Sequence, residues 1–461
     1  MTDSLRPYPE YKDSGVDWLG EIPAHWEVYP HRSLFTEIIE RDCPDEQMLS
    51  VTIARGVLPQ SQLLASSSKK DSSNTDKSNY KLVSEGDITY NKMRAWQGAI
   101  GASAYRGIIS PAYIVVRLRN EVNKPWYFHY LFRTPRFTTE AERWSYGITS
   151  DQWSLRYGEF KQIYSPLPPP DEQAAIVTFL DAAEGRIRRY IRAKQKLIKL
   201  LNEQIKVLVL RATTRGLNDD APVKDSGLEW LSHIPSHWEI RRNGTLFIQR
   251  NETGFPELPI LEVSLRTGVR VRDFDNSKRK QVMSDRSKYK RAHEGDIAYN
   301  MMRMWQGAVG VAPVDGLISP AYVIARPLEG TNSRYYEYLF RTGVYMNEVN
   351  KYSRGIVSDR NRLYWQDFKQ MWSPFPPPEE QEEIVDFLDS MIDKNTRQAT
   401  TKLEDQISLI REYKARLIAD VITGKVDVRG LAFEIPEAFG EDDLLDVDDD
   451  EMFEEDELDL G

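Results

Sequence analysis

"SPLPPPDEQAAIVTFLD", residues Ser165–Asp181, decides how this chain is built, because it returns as "SPFPPPEEQEEIVDFLD" at Ser373–Asp389. The triple proline cannot continue a helix, but it sets up the start of one. Asp171 is a plausible N-cap, and acids in the first turn suit the helix dipole. Apolar residues then recur at Ile176, Leu180, Ala183, Ile187, Tyr190, Leu197, Leu201 and Leu208, in steps of three, four or seven. That is the 3.5-residue period of a coiled-coil seam. Lys194 and Gln204 fall on it and weaken it locally, and Gly185 is a soft spot. Arg215-Gly216 is a stop signal. The second copy repeats the pattern from Glu379 to about Ile422, with Ile392, Ala399, Leu403, Ile410, Tyr413 and Leu417 on its seam and "TGKVD" at its end. About 40 residues at 1.5 Å each makes each helix ~60 Å long. Each exits an equivalent domain, so the two are expected to pack antiparallel.

The hinge is one of five ordered matches. "KDSGVDWLGEIPAHWEV" (Lys12–Val28) returns as "KDSGLEWLSHIPSHWEI" (Lys224–Ile240), with eleven of seventeen positions identical. "EGDITYNKMRAWQGAIG" (Glu85–Gly101) returns as "EGDIAYNMMRMWQGAVG" (Glu294–Gly310), with thirteen of seventeen. "GIISPAYIVVR" and "YLFRT" also recur, all at offsets of 208 to 212. A unit of about 210 residues present twice is a duplicated domain plus connector, not a solenoid. Before each hinge, "GDITY", "AYIVVRL", "GDIAY" and "AYVIARP" read as strands. "PWYFHYLFRT" and "SRYYEYLFRT" read as buried helices. The tryptophan-rich leader reads as a hydrophobic plug joining the end of one long helix to the next domain, the first copy docking where the second helix ends.

The 461 residues are 40% hydrophobic and 29% charged, enough for two or three domains. No apolar run is long enough to span a membrane, the N-terminus is not a secretory signal, and Cys43 is alone, so a cytoplasmic protein without disulfides or cysteine zinc sites is expected. The last 21 residues hold thirteen Asp or Glu and no Lys or Arg; without them the net charge of −10 becomes +3. A mildly basic body is compatible with a polyanion partner, and the tail is disordered by composition.

No P-loop, dinucleotide fingerprint, nucleophile elbow or H-E-x-x-H is present, nor the Asn/Asp-Pro-Pro-aromatic run of amino-methyltransferases. His233 and His237 have metal-pair spacing, but Pro235 lies between them and Glu21 replaces the first in the other copy. No metal, cofactor or catalytic residue is expected: a chain of this kind is a binding subunit rather than an enzyme. The copies differ most over Ala54–Ser84 and Ser264–His293, both polar, loop-rich and basic. Lys and Arg there would hold phosphates, and Arg, Asn or Gln would read base edges, against the alternative of a solvated surface. The candidates are Arg55, Lys69, Lys70 and Lys77 in the first copy and Arg266, Arg270, Arg272, Lys278, Arg279 and Lys280 in the second. "Y-N-x-M-R-x-W-Q-G" adds Arg94, Gln97, Arg303 and Gln306 on strand-end loops, with the tryptophan packing below. "GITSDQWSLRY" and "GIVSDRNRLYW" add Gln152, Arg156, Arg360 and Arg362, on a loop feeding a helix whose N-terminus could hold a phosphate.

The leader, the "PPP-x-E-Q" hinge before each long helix and the "RLIADVITGKVDV" ending together resemble the specificity subunit of Type I restriction-modification systems over nearly the whole chain, the tail excluded. That resemblance implies an α+β fold with two tandem target-recognition domains joined by two long α-helices in an antiparallel coiled coil, in a pseudo-two-fold circular arrangement. The leader and first recognition domain would occupy 1–165, the central helix 166–217, the linker and second recognition domain 218–373, the C-terminal helix 374–435 and the tail 436–461. It implies double-stranded DNA as the ligand, read as a bipartite target. It also implies two adenine-N6 methyltransferase (modification) subunits and ATP-driven restriction subunits as partners, with no membrane role. A DNA-binding or scaffold module of another defence system is the alternative. Recognition domains in the family are often dissimilar, whereas these match closely, which predicts half-sites that share some bases.

Overall fold

The computed structural model describes residues 5–65, 76–147, 153–273, 286–355 and 361–431, apart from the side chains of 393–395. The acidic tail therefore lies outside the described residues. The chain separates into two compact units, Met1–Ala193 with Gln406–Gly461, and Lys194–Asp405.

In the first unit a four-stranded antiparallel sheet runs in the order Phe35–Ile38, Tyr113–Leu118, Ile88–Asn91, Ile100–Ala102. The second unit repeats it with Phe247–Arg250, Tyr322–Pro327, Ile297–Asn300 and Val309–Val311. These are the β-branched and aromatic runs of the sequence, whose side chains suit a pleated, half-buried surface. Helix Pro125–Phe132 lays Tyr127, Phe128, Leu131 and Phe132 into the first core; Ser333–Phe340 does the same with Tyr335, Tyr336, Leu339 and Phe340. Thr134 and Thr342 cap the helices that follow, each hydroxyl accepting a backbone N–H.

Each "GD" aspartate is buried and paired, but by a different arginine. Asp87 takes Arg117 Nε at 2.7 Å, from the neighbouring strand Tyr113–Leu118. Asp296 takes Arg250 Nε at 2.7 Å, from the sheet's edge strand, while the second copy's own Arg326 stays exposed. A buried carboxylate needs a partner, and either strand can supply one.

The hinge motif explains itself in the contacts. Helix Pro170–Arg215 starts at the last proline, so Asp171 sits in the first turn rather than at the cap. Glu172, 5% exposed, accepts from the Tyr8 hydroxyl and from Trp26 Nε1 (2.9 Å), with His25 Nε2 2.8 Å away. Gln173 accepts Lys124 N and donates to Pro168 O. In the second unit Glu380 takes Trp238 Nε1 (2.9 Å) and His237 Nε2 (2.7 Å), and Gln381 accepts Asn332 N and donates to Pro376 O. Glutamate thus fastens the leader, and glutamine fastens the domain, to the first helical turn.

The leader packs on helix ends in both units. In the first, Leu19, Ile22 and Trp26 share a core with Val421, Ile422 and Val428. In the second, Leu231, Ile234 and Trp238 share one with Ala212. The long helices end at Gly216 (φ +74°) and Gly424 (φ +77°); a Cβ on Gly424 would lie 2.4 Å from Pro23 Cδ, so glycine serves both the left-handed turn and the close approach. Within the first unit Tyr127 Oη lies 3.1 Å from Pro166 O and 3.4 Å from Ile422 O, and farther along Lys414 Nζ is 3.0 Å from Glu184 Oε1. Numbers rise along one segment as they fall along the other, so the two helix segments run antiparallel there.

Two expectations change. The less exposed stripe of the first helix carries Ile187, Ile191, Ile198, Leu201, Ile205 and Leu208, while Tyr190 and Leu197 are 46% and 43% exposed. Ile187, Leu201 and Leu208 lie on the expected seam, whereas Ile191, Ile198 and Ile205 sit one place on from Tyr190, Leu197 and Gln204, and one residue turns a side chain by about 100° around a helix. In the second helix Ile407 is buried and Tyr413 exposed for the same reason. That helix is also not uniform: Pro378–Ser390 and Gln398–Ile422 are joined by a π-helical segment, Met391–Arg397.

Candidate nucleic-acid interface

Three turns in each unit carry the candidate readers. The first is a hairpin tip. Strands Leu49–Thr52 and Gly56–Pro59 pair through a three-residue turn, closed by Gly56 at φ +73°, a conformation that penalises any residue with a Cβ. Thr52 Oγ1 accepts Arg55 N at 3.0 Å. Leu261–Ser264 and Gly268–Val271 form the same hairpin, with Gly268 at φ +71° and Ser264 Oγ accepting Arg266 N at 3.1 Å. The stretches read as loops thus hold paired strands, the buried Gly56–Pro59 in the first and Gly268–Val271, with Arg270 exposed, in the second.

The second turn follows the central strand. Arg94 precedes a single 3-10 turn, Ala95–Gln97, that ends at Gly98; Arg303 precedes Met304–Gln306 and Gly307. The tryptophans are half-buried, and their indole nitrogens donate to Met93 O (2.9 Å) and Met302 O (3.0 Å). Their faces support the turn while Arg303 and Gln306 are exposed and Arg94 and Gln97 half-exposed.

The third is the segment around Arg156 and Arg362. Leu155 N donates to Lys92 O (2.7 Å) and Leu363 N to Met301 O (2.8 Å), so each segment lies against its strand-end turn. Trp153 adds an edge contact to Trp96, with centroids 5.8 Å apart. The helices it feeds, Tyr157–Phe160 and Trp365–Phe368, are single turns. Too few peptide dipoles align there to make the phosphate site expected from sequence.

The structure therefore brings Arg55, Arg94, Gln97 and Arg156 to one group of turns, and Arg266, Arg303, Gln306 and Arg362 to its counterpart. Arg270 lies farther down the hairpin, paired with Glu262 at 2.7 Å, and Arg272 N donates to Ile260 O. Lys77 closes a separate turn, its carbonyl accepting Tyr80 N. Lys69, Lys70, Gln152, Lys278, Arg279, Lys280 and Arg360 lie outside the described residues. Among the described residues no group of His, Cys, Asp or Glu could hold a metal ion, and His237 is instead engaged by Glu380. No described helix is long and apolar enough to cross a membrane.

Sequence reasoning missed what lies under the turns. Arg133, from "YLFRT", points its guanidinium at the carbonyls of Ile53 and Ala54, both at 2.6 Å, and of Ile100 at 3.3 Å. Arg341 reaches Leu265, Arg266 and Val309 at 2.8, 2.9 and 3.3 Å. One helical turn earlier, His129 is held neutral by burial and by Arg133, its pKa lowered to about 3. Glu337 takes its place in the second unit, its carboxyl pushed up by burial and held back by Arg334. The signal was the exact return of "YLFRT" in both copies.

No family model matches the chain. A protein provisionally named as the specificity subunit of the MjaX type I restriction enzyme, from Methanocaldococcus jannaschii, is 24% identical over 442 residues, which is 89% of this chain and 96% of that one. A chain solved in work on complex assembly and conformational transition of the type I R-M system has the same fold, with a TM-score of 0.64 at 15% identity, covering 88% of this chain and 99% of its own. The HsdS subunit from Thermoanaerobacter tengcongensis aligns over 88% of this chain and 98% of its own, at 16% identity and a TM-score of 0.49. The resemblance to type I specificity subunits thus extends from motifs to a full-length relative.

Proposed function

We infer that this chain is the specificity subunit of a type I restriction-modification complex. In this role it reads a bipartite, double-stranded DNA target in the cytoplasm. It docks adenine-N6 modification subunits and restriction subunits that carry out the chemistry it lacks. The observation that carries the reading is full-length similarity to a type I specificity subunit, joined to a duplicated group of basic turns. The recognition domains are assigned to the mixed α+β parts of 1–165 and 218–373. The long helices within 166–217 and 374–435 serve as an antiparallel spacer, about two turns of B-DNA long at 1.5 Å per residue and roughly 34 Å per turn.

Side-chain chemistry favours half-sites that overlap in sequence. Arg94 and Gln97 have identical counterparts, Arg303 and Gln306, while the hairpin-tip arginine moves from Arg55 to Arg266, one position around the turn. Arginine forks suit guanine edges and glutamine suits adenine, so the matched pairs would read shared bases and the tips different ones. Methylome sequencing of cells carrying this chain with its modification subunits tests this. Two half-sites with some bases in common are expected, and exchanging Ala54–Ser84 for a foreign loop should alter one half alone. Absence of any bipartite methylated motif would reject the role, and alteration of both halves would reject the domain assignment.

A further inference from the structure

We propose that Arg133 and Arg341 are positioning residues that set the pose of the reading turns, each for its own half-site. The inference rests on the DNA-recognition role above. The guanidinium of Arg133 lies among five backbone oxygens. Three belong to the hairpin tip: Thr52 at 3.4 Å, with Ile53 and Ala54 at 2.6 Å. Two belong to the strand-end turn, Gly98 at 3.4 Å and Ile100 at 3.3 Å. A single planar fork thus joins the turn bearing Arg55 to the turn bearing Arg94 and Gln97. Arg341 makes the matching contacts on the second hairpin tip and on Val309, the counterpart of Ile100. The arginine is the same in both copies although one of the two turns it ties, the hairpin tip, has diverged, as expected of a scaffold under a variable reader.

The seat beneath is equally tight. A Cβ on Gly56 would lie 3.0 Å from His129 Cε1, and one on Gly268 would lie 2.5 Å from Glu337 Oε1. The hairpin therefore rests on two successive turns of the buried helix, and the arginine is the part that reaches across to the neighbouring turn. Lysine keeps the charge but concentrates its three donors at one point, and cannot span both turns. Backbone oxygens occupy this guanidinium's donors, so it acts through the turns rather than on bases.

The test is R133K in the full chain, read in two ways. Hydrogen exchange should quicken about ten-fold at 53–56 and 97–100, the loss of one to two hydrogen bonds, with the long helices and the second unit unchanged. Selection from a random duplex library should blur one half of the bipartite motif, keep the other, and alter affinity for non-specific duplex by less than about two-fold. R341K should blur the opposite half. Unchanged exchange at both turns, or faster exchange throughout the first unit, would overturn the positioning role. So would a motif left sharp in both halves. Wild-type chain that selects no motif while R133K still loosens only the two turns would instead sink the recognition role, and the half-site claim with it.

Discussion

His31 is fully buried under the first unit's aromatic core, its Nε2 2.7 Å from the Ser165 hydroxyl and its ring 4.4 Å from that of Phe160. Burial lowers its pKa to about 3, as it does for His129. The unfolded chain therefore binds more protons than the folded one between pH 3 and the ordinary histidine range near pH 6.5. Stability contributed by keeping these rings neutral is present above that range and drains away as pH falls below it. At pH 5 each histidine should cost the first unit about 2 kcal/mol relative to pH 7. The second unit has Asn243 at the His31 position, hydrogen-bonded to Tyr345 and Ser373. H31N should accordingly remove about 2 kcal/mol of the first unit's acid sensitivity, measured by urea unfolding with hydrogen exchange in strand Phe35–Ile38; an unchanged pH dependence would contradict the assignment. Glu337 works with the opposite sign. Its raised carboxyl pKa favours the folded second unit at low pH, an advantage lost as pH climbs through the raised value. These buried titrating groups could not be read from sequence, where an isolated histidine has no marker of burial.

The hinge is the element whose letters were most legible and whose reason was not. Three prolines and two acids announce a helix start, but the glutamate's service to the leader depends on a contact between residues 146 positions apart in the chain. Glu172 takes three donors while Glu380 takes two and is more exposed. Replacing Glu172 with alanine should cost roughly 2–4 kcal/mol of the first unit's stability, and Glu380 about half that. Chemical denaturation of the two variants would settle the order; equal losses would mean that Tyr8 adds nothing. The long helices teach a different lesson. Their existence and ends followed from proline, glycine and periodicity, and Ile187, Leu201 and Leu208 lie on the expected seam, yet the alternate positions fell one residue on, at Ile191 and Ile198. Large hydrophobic residues at both Tyr190 and Ile191, and at both Leu197 and Ile198, satisfy a 3.5 repeat in either phase, and only packing chooses. The second hairpin was obscured for a related reason: Gly268–Val271 places Arg270 on its outer face, so polarity masked the strand.

At the scale of the whole molecule, charge separates what sequence distance joins. Residues 441–461 carry thirteen carboxylates, and the rest of the chain has a net charge of +3. If that segment competes with DNA for basic turns, removing 441–461 should tighten non-specific duplex binding several-fold at low salt, with the gain fading as ionic strength rises. Titration of both forms at two salt concentrations checks it, and equal affinities at low salt would end the idea. Duplication made the architecture readable: two copies in one chain act as their own alignment, exposing "YLFRT" and the "E-Q" pair as constants and the hairpins as variables. What the copies could not disclose was which side chains touch, because contact depends on the third dimension.

The first unit's core includes Val421, Ile422 and Val428 alongside Trp26. A ribosome makes those residues four hundred positions after the leader they cover. The half that leaves the ribosome first must therefore wait until Val428 has been made before its hydrophobic interior can close, whereas the second half has every residue it needs once Asp405 has emerged. Order of synthesis and order of completion run in opposite directions, and a prematurely terminated chain would carry its damage at the beginning.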